Sequence, residues 1–466
     1  MTQEGSGANI GFIAAIVAVA TIGGLLFGYD SGAVNGTQEG LRTAFALSEG
    51  GLGFTVGSLL IGCFIGAFFA GTLADSIGRR NVMRLAAVLF LIAAIVQGIA
   101  TEQAIFVIAR IFGGMAVGAA SVLSPAYISE VAPANIRGRM TTVQQIMIIT
   151  GLTAAFLVNY ALAGAAGTSL SPFWGGLEAW RWMYLMQAVP AAVFLIALFF
   201  IPESPRFLVA KGRHDQAGLV LAKLFGETVA TAKLEEIRSS FTADHRPRLS
   251  DVRAPGTFFR PVVWAGLVLA VFQQLVGINV IFYYGATLWQ AAGFTEAQAL
   301  ETNIISGAIS IAACFITVAY VDKIGRKPLL LLGSAGMTVT LFTMVYAFST
   351  GTLSGTQLVL PGSMGLVAVV AALLYSAFFN ISWGPVMWVM LGEMFPNQIR
   401  GSALAVCGFA QWFANYLIAQ SFPIMLAGIG LAASYSFYGA CALISFFLVQ
   451  RFLTETKGIE LEAMKG

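Results

Sequence analysis

Charge is scarce in this chain. Asp, Glu, Lys and Arg make up 10% of its 466 residues, while 58% are hydrophobic, whereas soluble domains carry about 25% charge. That excludes an ordinary soluble domain and points to a chain that crosses a lipid bilayer many times. The net charge of +3 is too small, and its charges too local, for nucleic acid to be a partner. Histidine is almost missing: His214 and His245 share one polar loop. The four cysteines (Cys63, Cys314, Cys407 and Cys441) lie in apolar runs without metal-ligand spacing, and read as small core residues rather than a disulfide set. Neither a His/Cys cluster, a catalytic triad nor a glycine-rich phosphate loop is visible, so the sequence predicts no enzyme and no cofactor. Met1–Asn9 has no basic region and no small-residue cleavage site, and the first span is expected to be retained.

What is abundant is apolar runs of span length. They begin near Gly11, Gly51, Val82, Gln103, Met140 and Trp182, then near Pro261, Thr302, Pro328, Met364, Ser402 and Ile429. The pattern predicts an all-α membrane protein with twelve transmembrane helices in two halves of six. Residues 1–201 form the first half, 202–258 a helical linker, and 259–466 the second half with a short tail. Within the linker, Asp215–Phe225 and Thr231–Phe241 have helical character. Glycines at small-xxx-small spacing, Gly62/Gly66 and Gly114/Gly118, predict closely packed helices. Of 25 Lys and Arg, Arg42, Arg110 and Arg181 alone fall away from one side, which places both termini in the cytoplasm. A plasma-membrane, multi-pass location follows, with the lipid bilayer as a partner.

The halves repeat. Gly71–Arg80 after the second span is echoed by Asp322–Lys327 after the eighth, and Glu130–Gly138 after the fourth by Glu393–Gly401 after the tenth. Motifs recurring at equivalent places indicate a six-plus-six transporter with its site between the halves.

One stretch stands out. Gln273–Tyr284 carries Gln273, Gln274, Asn279, Tyr283 and Tyr284 inside a span, where unpaired polar groups are costly. Carboxamides both donate and accept, which suits a hydroxyl-rich solute. At about 100° per residue, Gln273, Gly277 and Tyr284 share a face within roughly 40°, yet Asn279 lies about 120° from Gln273. A straight helix cannot aim all three carboxamides at one cavity, so a break at Gly277 is expected.

These residues resemble the sugar porter family of the major facilitator superfamily. The motifs Gly71–Arg80, Glu130–Arg139, Pro202–Arg206, Gln273–Asn279, Trp383–Trp388 and Glu455–Gly458 occur in the family's order. The likeness is strongest to bacterial proton-coupled hexose and pentose symporters. It implies a monosaccharide and protons as partners, and sugar contacts from Gln145, Gln273, Gln274, Asn279, Trp388, Gln411, Trp412 and Asn415; a functional monomer is expected. Tyr283 and Tyr284 match an aromatic pair that closes the outer side. Two positions depart from the family: Ser310 replaces a common asparagine, and Thr454 replaces a proline before Glu455. Indole rings suit the apolar face of a pyranose; packing or interfacial anchoring is the alternative for both tryptophans.

Asp30 and Arg110 stand apart from the cytoplasmic clusters. Arg110 falls inside an apolar run, and an intramembrane charge is a functional candidate by default. Asp30, about 20 residues from Gly11, could by itself be an interfacial residue; the resemblance implies that it faces Arg110 and carries the proton. Asp75, Arg79, Glu130, Arg137, Glu203, Arg206, Asp322, Arg326, Glu393 and Arg400 are expected to form an intracellular network that holds the inner side shut. The leading reading is a proton–sugar symporter for glucose or a related hexose. A passive facilitator or a xylose-type pentose symporter is the alternative, and a sugar sensor is disfavoured by the short tail.

Overall fold

The structure is a computed structural model that describes residues 9–243, 252–253, 258–354, 357–396 and 399–457; of 134–142, 240–243, 353, 354 and 357 it describes the backbone alone. Helices dominate. In the first half they are α1 (Ile10–Asn35), α2 (Gln38–Phe45), α3 (Glu49–Ile77), α4 (Arg79–Ile99), α5 (Gln103–Val131), α6 (Ala134–Ala166), α7 (Ala179–Leu185) and α8 (Ala188–Ala197). The linker holds α9 (Pro205–Ala210), α10 (His214–Phe225) and α11 (Glu227–Ala243). The second half holds α12 (Pro261–Leu275), α13 (Ile278–Ala291), α14 (Glu296–Ile324), α15 (Arg326–Ser349), α16 (Met364–Ile381), α17 (Trp383–Met394) and α18 (Arg400–Phe452). A small antiparallel hairpin, Thr352–Ser354 with Gln357–Val359, caps the loop between α15 and α16.

Eleven segments among the described residues are long and apolar enough to cross a bilayer. The last of them, α18, has 53 residues, about 80 Å of helix at 1.5 Å per residue, against a hydrocarbon core of about 30 Å. It is broken at Gly430, whose φ of 78° and ψ of 176° are not helical. The break divides α18 into two helical runs, 400–429 and 431–452, each long enough to cross the bilayer.

Close helix packing explains the glycine spacing. A methyl group at Gly62 would come 2.0 Å from the carbonyl oxygen of Ile111, and one at Gly114 would come 2.0 Å from that of Leu59. Helices α3 and α5 therefore touch backbone to backbone, as small-xxx-small motifs allow in lipid. In the linker, α10 and α11 follow the two helical runs closely. The short α9 is an addition; its start is set by Ser204, whose hydroxyl accepts from Phe207 N at 3.2 Å, with Pro205 at the first helical position. Phe207, Leu208, Val209 and Ala217 give the linker helices a small apolar cluster.

The repeat is visible in three dimensions at the arginine-rich end of the bundle. Gly78 (φ 100°, ψ 154°) and Gly325 (φ 103°, ψ 166°) make the same turn between α3 and α4 and between α14 and α15.

Candidate functional site

The expected break in the seventh crossing is present. Helix α12 stops at Leu275, Gly277 sits at φ 85° in the left-handed region, and α13 starts at Ile278. Only glycine occupies that region readily. Tyr375 on α16 satisfies a carbonyl at the break, its hydroxyl donating to Val276 O at 2.7 Å. A Cβ at 277 would meet the Tyr438 ring at 2.6 Å. Gly277→Val therefore combines a forbidden φ with overpacking of about 1–3 kcal/mol. We expect at least a tenfold loss of ligand affinity by titration of the purified protein, with membrane insertion unchanged.

The break does what angular arithmetic required of it. Asn279 Nδ2 donates to Gln274 Oε1 at 2.6 Å and lies 2.8 Å from Asn415 Oδ1 on α18. Gln273 Oε1 accepts from Gln274 Nε2 at 2.7 Å and from Gln411 Nε2 at 3.1 Å. Asn415 Nδ2 donates onward to the Tyr283 hydroxyl at 3.1 Å. Six side chains thus form one polar network, all from the second half, and the buried Gln411 Oε1 has no donor. Trp412 is buried beside the network and packs edge-on against Phe27 of α1, with ring centroids 5.3 Å apart. Trp388 on α17 is 40% exposed. It follows a second broken crossing, at Ser382 (φ −130°, ψ −89°), which the sequence reading did not anticipate. In the first half, Gln145 is half-buried on α6. Its neighbour Gln144 is buried against Gly24 of α1 with both polar atoms unpartnered. Ser310 is fully buried and its hydroxyl makes no hydrogen bond.

Asp30 and Arg110 meet inside the first half. Helix α1 runs five residues past Asp30, which is 0% exposed, so the interfacial alternative is excluded; Arg110 on α5 is 2% exposed. The guanidinium reaches Asp30 Oδ1 at 3.4 Å and Oδ2 at 3.3 Å, Gln97 Oε1 at 3.3 Å and Val56 O at 3.2 Å. These bonds are long for a charged pair, and Arg110 Nε has no partner. The pair is enclosed but not tightly clasped. Gln187, also fully buried and with both side-chain polar atoms unpartnered, lies beside Asp30.

The two ends of the bundle differ. At the end away from the arginine clusters, α1 and α2 bind α13 and α14 across the halves. Asn35 Nδ2 donates to Phe282 O at 2.9 Å, and its Oδ1 accepts from Ala286 N at 2.9 Å and Asn303 Nδ2 at 2.8 Å. Gln38 Nε2 donates to Tyr283 O, and Gln38 Oε1 accepts from Thr287 at 2.6 Å. Tyr284 is held within the second half, its hydroxyl donating to Ala419 O at 2.6 Å. Gln420 to Gly50 O (3.0 Å) and Ser169 N to Glu296 (3.1 Å) complete the described cross-half hydrogen bonds, all at this end.

At the arginine-rich end the described ion pairs stay within a half rather than bridging halves. Arg79 contacts Asp75 at 2.9 Å and Glu130 at 3.3 Å; Arg326 contacts Asp322 at 2.9 Å and Glu393 at 2.7 Å. Glu203 is a helix cap instead of an ion-pair partner of Arg206: its carboxylate accepts from Arg80 N at 3.1 Å and Ser204 N at 2.9 Å. Glu455 repeats it, accepting from Arg326 N and Lys327 N at 3.0 Å each. Ser204 donates to Glu130, and Thr456 donates to Glu393 at 2.6 Å. Residues 203–204 and 455–456 are therefore a third pair of repeat elements, which sequence similarity is too short to reveal. Arg400 turns to Phe395 O at 3.0 Å. The Arg137 side chain lies outside the described residues.

Burial acts to raise the Glu455 carboxyl, but backbone N–H groups of Arg326, Lys457, Lys327 and Thr456 outweigh it and hold the group below the usual carboxylate range. A depressed acid contributes stability above its unfolded pKa of about 4.3 and loses it as pH falls through the folded value. Glu455→Gln should thus lower the melting temperature at neutral pH and leave it unchanged at the acid end. The effect belongs at the low end of about 0.3–1 kcal/mol because the group is largely solvated. Thermal unfolding in detergent across pH checks this.

Two repeated halves, spans broken beside a polar network, and an enclosed ion pair define a membrane transporter of the major facilitator type. The chain belongs to the sugar transporter family: the family model described as "Sugar (and other) transporter" matches residues 16–466. It is 44% identical over 460 residues to a glucose transport protein of Synechocystis sp., covering 98% of each chain. It is also 39% identical over 493 aligned residues to the D-xylose-proton symporter of Escherichia coli K12, covering 98% of this chain and 96% of that protein. Among solved structures, a partially occluded inward open form of the E. coli xylose transporter XylE matches with a TM-score of 0.82 at 36% identity, over 95% of this chain and all of that one. The relatives are transporters, not enzymes.

Proposed function

We propose that this protein carries a monosaccharide across the plasma membrane by proton symport with alternating access, glucose or a related hexose being the leading substrate and a xylose-type pentose the alternative. The observation that carries the reading is the pairing of two features: a carboxamide network at the Gly277 break in one half and a buried Asp30–Arg110 pair in the other. The proton-coupled xylose relative and the glucose-transporting relative support the class of solute. The network residues Gln273, Gln274, Asn279, Gln411 and Asn415, with Gln145, Trp388 and Trp412, hold the sugar. Tyr283 and Tyr284 close the outer side on α13.

The arginine-rich end faces the cytoplasm, together with both termini. With the cross-half bonds gathered at the opposite end, the conformation is one closed to the outside. Deprotonated Asp30 pairs with Arg110; protonation from outside removes one charge and weakens the pair, sugar binds, and the halves rock about the site. The intracellular clusters keep each half rigid while this happens, and the protein works as a monomer.

Sugar-evoked proton uptake by proteoliposomes tests the reading. An alkaline shift outside on adding glucose or xylose is expected. Silence, with sugar exchange intact, would leave a passive facilitator instead. Competition by a panel of sugars against labelled glucose then ranks the substrates.

A further inference from the structure

We propose that Tyr375 and Thr317 are positioning residues for the sugar site: each holds a free carbonyl at one broken crossing, and α16 joins the two breaks into one frame. The inference rests on the sugar-binding reading and adds residues outside the set expected to touch the sugar.

A break frees backbone acceptors, and inside a membrane each must find a donor. At the first break Val280 N turns to Gly277 O at 3.0 Å rather than to Val276 O, the partner a continuous helix would give it. Tyr375 supplies the missing donor, its hydroxyl reaching Val276 O at 2.7 Å. At the second break Thr317 of α14 plays the same part. Its hydroxyl lies 2.8 Å from Ile381 O and 3.0 Å from Asn380 O, nearer than Ala313 O of its own helix at 3.2 Å. Both side chains are buried, so bulk water supplies neither bond.

The two holds meet on α16. Tyr375 and Ile381 lie less than two turns apart on that helix. The same segment is pinned to α14 at two further points: Ser306 donates to Ser376 at 3.2 Å, and the Cys314 thiol lies 3.7 Å from Asn380 Oδ1. Gln273 and Gln274 precede the first break, Asn279 follows it, and Trp388 follows the second. A shift of this part of α16 therefore moves groups on both crossings together. Loss of the Tyr375 donor leaves Val276 O to seek another, which re-aims α13. Asn279 is then drawn from Gln274 and Asn415, the two carboxamides it joins.

The test uses the full-length protein, in detergent for binding and in proteoliposomes for transport. Tyr375→Phe keeps the ring and removes only the hydroxyl. Affinity for glucose or xylose should fall roughly 3- to 10-fold, the range of one net hydrogen bond. The maximal counterflow rate should stay within about twofold, the signature of lost binding rather than lost turnover. Thr317→Val should weaken binding in the same direction and Thr317→Ser restore it; this pair serves should Tyr375→Phe fail to fold. The double variant Tyr375→Phe/Thr317→Val should lose less than the product of the two single losses, because both release one segment. A Tyr375→Phe protein that melts earlier yet binds sugar as the wild type does overturns the proposal and leaves the hydroxyl a stabilising contact only. Single losses that multiply strictly overturn the shared frame. A wild type that binds none of a panel of monosaccharides defeats the sugar reading itself, and that outcome is seen before any substitution is made.

Discussion

Asp30→Asn is expected to abolish uphill sugar accumulation while preserving exchange of sugar for sugar. A proton crossing with the sugar supplies about 2.3 kcal/mol per 100 mV, which corresponds to roughly a 50-fold sugar gradient at about 1.4 kcal/mol per tenfold. Without a titratable group on α1 that drive is disconnected, and the concentration ratio can only relax to 1. Counterflow needs no proton movement, so it survives if the fold and the network are intact. The asparagine stays hydrogen-bonding and nearly isosteric. Arg110 keeps Gln97 Oε1 and Val56 O as acceptors.

The partner substitution should behave differently. Arg110→Leu leaves Asp30 as a buried carboxylate without compensation, a loss of about 3–5 kcal/mol when one member of a buried pair is removed. Expression is expected to suffer as well. Accumulation assays under an imposed pH gradient, with counterflow as the control, separate the two variants. Asp30→Asn that still concentrates sugar would show that the proton travels elsewhere.

How much of this was legible depends on whether a residue's role is local. The Gly277 break could be argued before any coordinates because three carboxamides within seven residues do not share a helical face, and the angular mismatch falls at a glycine. The membrane-spanning helices were legible from run length, and the linker helices from periodicity. Asp30 was ambiguous, since its depth depends on where α1 ends, and nothing local in the sequence marks Asn35 and Gln38. Their work is tertiary: all four hydrogen-bonding positions of the Asn35 carboxamide are used on α13 and α14. The intracellular charges show the converse. Their motifs drew notice in the sequence, but whether Arg79 and Arg326 bind within or between halves is set by helix placement, which no motif contains. Glu203 and Glu455 act as caps because another helix starts in front of them.

The largest effect on binding is expected at Gln273. Its Oε1 is the shared acceptor for Gln274 and Gln411, so Gln273→Ala does more than delete one sugar contact. In the unliganded protein the amides satisfy each other, and a sugar hydroxyl must substitute for such a partner with the same donor–acceptor versatility. Once Gln273 is gone, two carboxamides lose their anchor and reorient, so the loss on binding includes their misplacement. Each net hydrogen bond is worth about 0.5–1.5 kcal/mol, and a buried group left unpaired about 1–3 kcal/mol. We expect sugar affinity to fall by roughly 10- to 100-fold, with the Asp30-dependent proton response retained at saturating sugar. Gln411→Ala should cost less, because it removes one donor to Gln273 and leaves the Gln274–Asn279–Asn415 order in place. The double variant should then be less than additive by about 0.5–3 kcal/mol, the usual coupling of residues in one network. Binding titrations on the four proteins of that cycle decide it: strict additivity would mean that Gln273 and Gln411 meet the sugar independently, and that the network seen between them has no part in holding it.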